Sequence, residues 1–127
     1  MLGDSKAFSG FAVDDLEAAR RFYGETLEQR VEVLDKEHGL MTLHLAGERP
    51  TLIYVSPDMT PASYTILNFP VDDVDAAVEW LSERGVTFER YEGMPQEPNG
   101  VMKGNGPDIA WFKDPAGNTL SVLKDDG

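Results

Sequence analysis

Cysteine is missing from this 127-residue chain, which removes disulfides, thiolate metal sites and a cysteine nucleophile from consideration. That absence does not fix the compartment. Basic residues are scarce as well: 11 Lys and Arg stand against 23 Asp and Glu, a net charge of -12, and such a field repels nucleic acid and anionic membrane. Neither is an expected partner. The charges are scattered, which suits a solvated surface better than a groove for a cationic ligand. No apolar run approaches the roughly 18 to 20 residues that cross a bilayer, and MLGDSKAFSG lacks the basic and apolar regions of a signal peptide. A cytoplasmic location is the expectation. Catalytic signatures are also wanting: no GxSxG elbow surrounds a serine, GNG at 104 to 106 is not a GxGxxG after a strand, and Gly-Lys-Ser/Thr does not occur. What the chain does have is 41% hydrophobic residues spread along its length, enough for one compact domain spanning 1–127.

The strongest organisational signal is internal repetition. Residues 8–23 read FSGFAVDDLEAARRFY and residues 66–81 read ILNFPVDDVDAAVEWL, with the shared VDD displaced by 58 positions. Before each VDD the apolar residues alternate, as Phe11 and Val13 or Leu67, Phe69 and Val71 do, and after it they follow helical spacing. The first Asp of each pair suits an N-cap, with Glu17 and Asp75 placed near the helix N-terminus. Structural capping is therefore the expected role of these aspartates, ahead of metal binding. Gly24 and Gly85 mark the expected helix ends.

Strand-like runs follow each helix. RVEVLD (30–35), LMTLHL (40–45) and PTLIYV (50–55) complete one half; VTFERYE (86–92), IAWFKD (109–114) and TLSVL (119–123) complete the other. Each half reads β-α-β-β-β, module one over about 7–58 and module two over about 63–124. Thr51-Leu52 lies 68 positions before Thr119-Leu120, so the second copy carries extra residues. They fall in EGMPQEPNGVMKGNGPD, 92–108, which reads either as a binding loop or lid or as a tolerated insertion.

The two VDD strand-helix junctions and the closing WFKDPAGNTLSVL together resemble the vicinal oxygen chelate superfamily, which includes glyoxalase I, extradiol dioxygenases, fosfomycin resistance enzymes and bleomycin resistance proteins. The resemblance covers about Ala7 to Leu123. It implies an α+β fold in which two tandem βαβββ modules form an open, cup-shaped eight-stranded sheet with helices outside and ligand inside, and it implies a homodimer as a frequent assembly. It also implies a divalent metal held by His, Gln or Glu at up to four positions. In this sequence those positions are Phe8, Ile53, Ile66 and Ser121, and none offers a carboxylate or imidazole. A register shift of one brings up no acid or histidine either. His38 and His44, the two histidines of the chain, fall in a turn and a middle strand, away from these positions.

The expected function is therefore metal-independent binding of a small hydrophobic or aromatic molecule, without a cofactor and without identifiable catalytic residues. The candidate ligand-binding set is Phe8, Ile53, Tyr54, Ile66, Asn68, Tyr91, Met102, Trp111 and Ser121, with Asn68 and Ser121 as polar anchors and the aromatic rings as stacking surfaces. Strand alternation places Phe8, Gly10, Ala12, Ile53, Val55, Ile66, Asn68, Ser121 and Leu123 on one face. Two other readings stay open: a cup plugged by Phe8 and Ile66, and a lyase or dioxygenase-type enzyme with unconventional metal ligands.

Overall fold

Each VDD converts a strand into a helix. A computed structural model describes residues 1–104 and 106–125; Asn105, in the insert and in the GNG triplet, lies outside the described residues. The chain forms two compact units, Met1–Thr60 and the remainder from Pro61.

In the first unit, β1 (Ser9–Val13) leads into α1 (Leu16–Arg20), followed by β2 (Arg30–Asp35), β3 (Leu40–Leu45) and β4 (Arg49–Val55). The sheet order is β1-β4-β3-β2, with β1 parallel to β4 and the other pairs antiparallel. The N-cap is Asp15 rather than Asp14: its side chain accepts the Ala18 N–H at 3.0 Å, so the first turn begins one residue later than expected. Glu17, near the helix N-terminus as expected, pairs with Arg20 and Arg21.

Gly24 does not end the first helix. The chain continues as a π-helical turn over Arg21–Thr26, in which the Leu27 N–H reaches the Phe22 carbonyl at 2.9 Å, and this wider turn absorbs the glycine. A Cβ at Gly24 would stand 3.0 Å from Val31, so the glycine serves close packing on β2. The turn also aims Tyr23 into the sheet, where it is fully buried with its ring 5.6 Å from Phe11.

The second unit holds β5 (Thr65–Val71), α2 (Val74–Glu83), β6 (Ile109–Lys113) and β7 (Thr119–Lys124), in sheet order β5-β7-β6. Asp73, again the second aspartate of its pair, caps α2 by accepting the Ala76 N–H at 3.1 Å. Gly85 follows the last turn with φ +87, as a helix C-terminus favours. Val74, Val78 and Leu81 of α2 are buried together with Leu67, Ala110, Phe112, Leu120 and Val122. A large apolar side chain buried in this way contributes about 1.5–3 kcal/mol relative to exposure.

The described residues form seven strands rather than the expected eight. VTFERYE makes only a single bridge, Phe88 to Phe112, although the Glu89 N–H still reaches the Trp111 carbonyl at 2.8 Å. The reason is Gln96. Its amide oxygen accepts the Tyr91 N–H at 2.7 Å, and its amide nitrogen donates to the carbonyls of Glu89 at 2.9 Å and Gly100 at 2.7 Å. One side chain thus satisfies backbone groups that a neighbouring strand would otherwise pair. Farther along β6, Met102 of the insert bridges to Ile109 in place of a continuing strand.

Candidate ligand-binding face

The second-unit sheet sorts its side chains by register. On β7, Leu120 and Val122 are buried with α2, whereas Ser121 alternates to the opposite face. Ser121 pairs in register with Asn68 on β5 and with Trp111 on β6, so these three residues cross the sheet as one row. Ser121 Oγ–H donates to Asn68 Oδ1 at 2.7 Å. The serine is 0% exposed, and its hydroxyl orients the asparagine rather than facing solvent itself. Asn68 is exposed, and among the described residues its amide nitrogen has no protein partner. The outward end of the row is therefore a hydrogen-bond donor with a fixed direction.

An aromatic corner completes the row. Tyr91 meets Trp111 edge to face, with ring centroids 5.4 Å apart at 78°, a geometry favoured by the ring quadrupoles. Burial pushes the Tyr91 phenol above its ordinary value, the Glu89 charge adds to the rise, and the Lys113 charge opposes it; Lys113 and Glu89 are themselves paired at 3.5 Å. The phenol stays protonated at neutral pH and can donate. Met102 stands beside Ile109 at the same edge.

The other expected site residues are placed differently. Ile66 is the extra residue of a β-bulge, because Thr65 pairs with Thr119 while Leu67 already pairs with Leu120; it is half-buried and takes no place in the row. Phe8 precedes β1 and is 65% exposed, so it does not plug the first unit. Ile53 is a correction. It pairs with Phe11 on β1 and Met41 on β3 and is 0% exposed, which puts it in the core of the first unit, on the face opposite Gly10 and Ala12. Tyr54 takes the other face, paired with Ala12 and Leu40 and partly exposed.

The source of that error is the repeat offset. Gly10 pairs with Leu52 as Asn68 pairs with Ser121, so the first-unit counterpart of Ser121 is Leu52, 69 positions earlier, and not Ile53. One residue of offset reverses the face. Leu52 is as devoid of donor atoms as Ile53. Phe8, Leu52 and Ile66 bring no oxygen or nitrogen, and Ser121 brings a hydroxyl already committed to Asn68. These side chains do not fit a divalent metal, which requires several carboxylate, imidazole or amide donors converging on one point. His44 is engaged with Glu32 at 3.4 Å and His38 with Asp35 at 2.7 Å, both pairs local to the first unit.

Sequence reasoning missed Gln96, whose three bonds hold the Tyr91 side of the corner. No spacing rule marks a glutamine that bonds to backbone across a loop, and its position between two prolines was the one local hint that the segment follows no regular ladder.

The sequence profile of the Glyoxalase/Bleomycin resistance protein/Dioxygenase superfamily matches residues 8–122. The chain belongs to that superfamily. Among solved structures it is similar to a glyoxalase family protein from Enterococcus faecalis, with 21% identity, TM-score 0.69 and coverage of 98% of this chain and 100% of the other. It is similar also to TnmS3, an antibiotic binding protein from a Streptomyces species, with 26% identity, TM-score 0.67 and coverage of 97% and 98%. A superfamily member from Sphaerobacter thermophilus gives 25% identity and TM-score 0.68 over 95% of this chain and 98% of its own. No curated protein matches the chain.

Proposed function

We propose that this chain is a metal-independent small-molecule-binding protein that takes a hydrophobic or aromatic ligand on the row formed by Asn68, Trp111 and Tyr91. The observation that carries the reading is the Ser121–Asn68 pair. At the position where metal-binding relatives would place a carboxylate, a buried serine hydroxyl fixes an amide whose donor end is open. A planar ligand lies against Trp111 with its edge toward Tyr91, and an acceptor atom on it receives the Asn68 N–H. Binding of this kind needs apolar area and a few oriented polar groups, not a Lewis acid. The antibiotic-binding role of TnmS3, at 26% identity over nearly the full chain, supports the same reading. A homodimer and a cytoplasmic location complete the proposal.

The test is ligand-dependent stabilisation of untagged protein by a panel of aromatic metabolites and antibiotics, with and without a chelator. A ligand at about 100 times its dissociation constant adds about 2.7 kcal/mol. Replacing Trp80, which packs under Arg84 at 4.0 Å, with Phe leaves Trp111 as the fluorescent reporter. Quenching of that single tryptophan, lost in Asn68→Ala and unchanged by the chelator, is the expected result. Stoichiometric metal in the purified protein, or binding abolished by chelation, overturns the metal-independent reading in favour of an enzyme.

A further inference from the structure

The first unit carries a second surface whose chemistry differs from the row on β7. The β3–β4 hairpin turns through Gly47 and Glu48, both in the left-handed region at φ +84 and +58. On one side of this hairpin lies a cleft of about 590 Å³ lined by Lys6, Phe8, Leu45, Glu48, Arg49 and Pro50, among others. On the other side lies a cleft of about 450 Å³ whose lining includes Arg30, His44, Leu45, Glu48 and Pro50. Both fall within the size range of small-molecule sites, and they share the hairpin as a common wall.

The topology explains why cations gather here. Arg30 pairs in register with His44, His44 with Pro50, and Leu45 with Arg49, while Ser9 at the start of β1 pairs with Thr51. Lys6 and Phe8 are therefore delivered beside the beginning of β4 from one flank, and Arg30 from the other. Among the described residues none of Lys6, Arg30 and Arg49 has a carboxylate partner; Arg49 donates only to the Ala46 carbonyl at 3.3 Å. Elsewhere Arg20, Arg21, Lys103 and Lys113 are tied to acids. Two of these unpaired cations, Lys6 and Arg49, line the larger cleft together with Phe8, while Arg30 lines the smaller one across the hairpin. Glu48 is the one acid in either lining, and the exposed Phe8 ring with Leu45 and Pro50 supplies apolar wall.

We infer that the larger cleft at this hairpin end is a separate binding site for a small organic anion with an aromatic body, the charge held by Lys6 and Arg49 and the ring placed on Phe8. It depends on no residue of the Asn68–Trp111 row.

The probe is naphthoate, titrated into ¹⁵N-labelled full-length protein, against its neutral isostere naphthylmethanol and against inorganic phosphate at matched ionic strength. Naphthoate is expected to shift the amides of residues 6–9 and 44–51, and the alcohol to bind about fivefold more weakly, as the loss of two exposed charge interactions implies. Lys6→Gln combined with Arg49→Gln should weaken naphthoate by a similar factor while the rest of the spectrum is unchanged. Equal affinity for acid and alcohol overturns the anionic half of the assignment. Phosphate that matches naphthoate in affinity and in shifted residues overturns the aromatic half, and no shift at residues 6–9 or 44–51 overturns both. Shifts at Asn68, Tyr91 and Trp111 report on the proposed function separately, so either site can fail alone.

Discussion

Replacing Gln96 by Ala should destabilise the protein far more than an ordinary loop substitution. The half-buried amide makes three hydrogen bonds to backbone, at 2.7 Å from the Tyr91 N–H and at 2.9 and 2.7 Å to the Glu89 and Gly100 carbonyls. Each such bond is worth about 1 kcal/mol net, and leaving partly buried partners unmet prevents full recovery from water, so the loss is about 2–3 kcal/mol. Gln96→Glu is the sharper variant. It keeps an acceptor for the Tyr91 N–H but offers no donor to either carbonyl and places negative charge against both. Its loss should equal or exceed that of alanine. Urea unfolding gives the magnitude, and amide exchange at Tyr91 gives the location, because that N–H depends on Gln96. If both variants fall within about 0.5 kcal/mol of the parent, the range of indifferent surface changes, and Tyr91 remains protected, then Gln96 does not organise the segment and the account of the missing strand fails.

The remaining predictions concern the core, the turns, the site and pH. Ile53→Ala should cost about 2–5 kcal/mol by chemical denaturation, as cavity formation in a packed core does, whereas Tyr54→Ala on the opposite face should cost much less; the reverse order contradicts the register. Gly39 and Gly85 both have positive φ, at +66 and +87, but a Cβ at Gly39 would lie 2.7 Å from Val55 Cβ while one at Gly85 meets nothing within 4 Å. Gly39→Ala should therefore lower the melting temperature clearly more than Gly85→Ala. Ser121→Ala leaves Asn68 in place but free to rotate, so ligand affinity should fall while the ligand-free melting temperature moves little; unchanged affinity removes the orienting role. The Glu17 carboxyl is held down from 4.5 to about 2, chiefly by the Arg20 hydrogen bond. Because the folded value is the lower one, its contribution to stability is present above about pH 4.5 and is lost as pH falls toward 2. Carboxyl NMR titration should find that midpoint, and Arg20→Gln should return it toward the ordinary range.

The repeat made most of the architecture legible. The change of hydrophobic period at each VDD located both strand-to-helix junctions, and the runs 30–35 and 40–45 coincide with β2 and β3. The misplacements came from interactions that act across sequence. Asp15 and Asp73 cap in place of their preceding neighbours because a cap is chosen by where the first turn packs, not by which aspartate comes first. Gly24 reads as a stop signal until the π-helical turn is seen to need its missing Cβ against Val31. The eighth strand was legible as propensity in VTFERYE, yet a glutamine a few residues farther along outcompetes the ladder for its backbone. Asn68 and Ser121, expected on one face by alternation, do share a cross-strand row, which β6 extends to Trp111. Ile53 was misplaced because Thr-Leu occurs in both halves at a spacing one residue short of the structural equivalence. The mutual orientation of Ser121 and Asn68, with the hydroxyl buried and the amide outward, follows from side-chain packing that no periodicity encodes.

The coverage of β6 has a consequence for solubility. A strand at the margin of a sheet is a template on which another chain can extend the ladder. Here that margin is occupied in pieces, by Phe88 opposite Phe112, by the Glu89 N–H on the Trp111 carbonyl, and by Met102 exchanging both backbone bonds with Ile109 at 2.8 and 3.2 Å. The insert thus works as a stopper against runaway strand addition, and Gln96 fastens it.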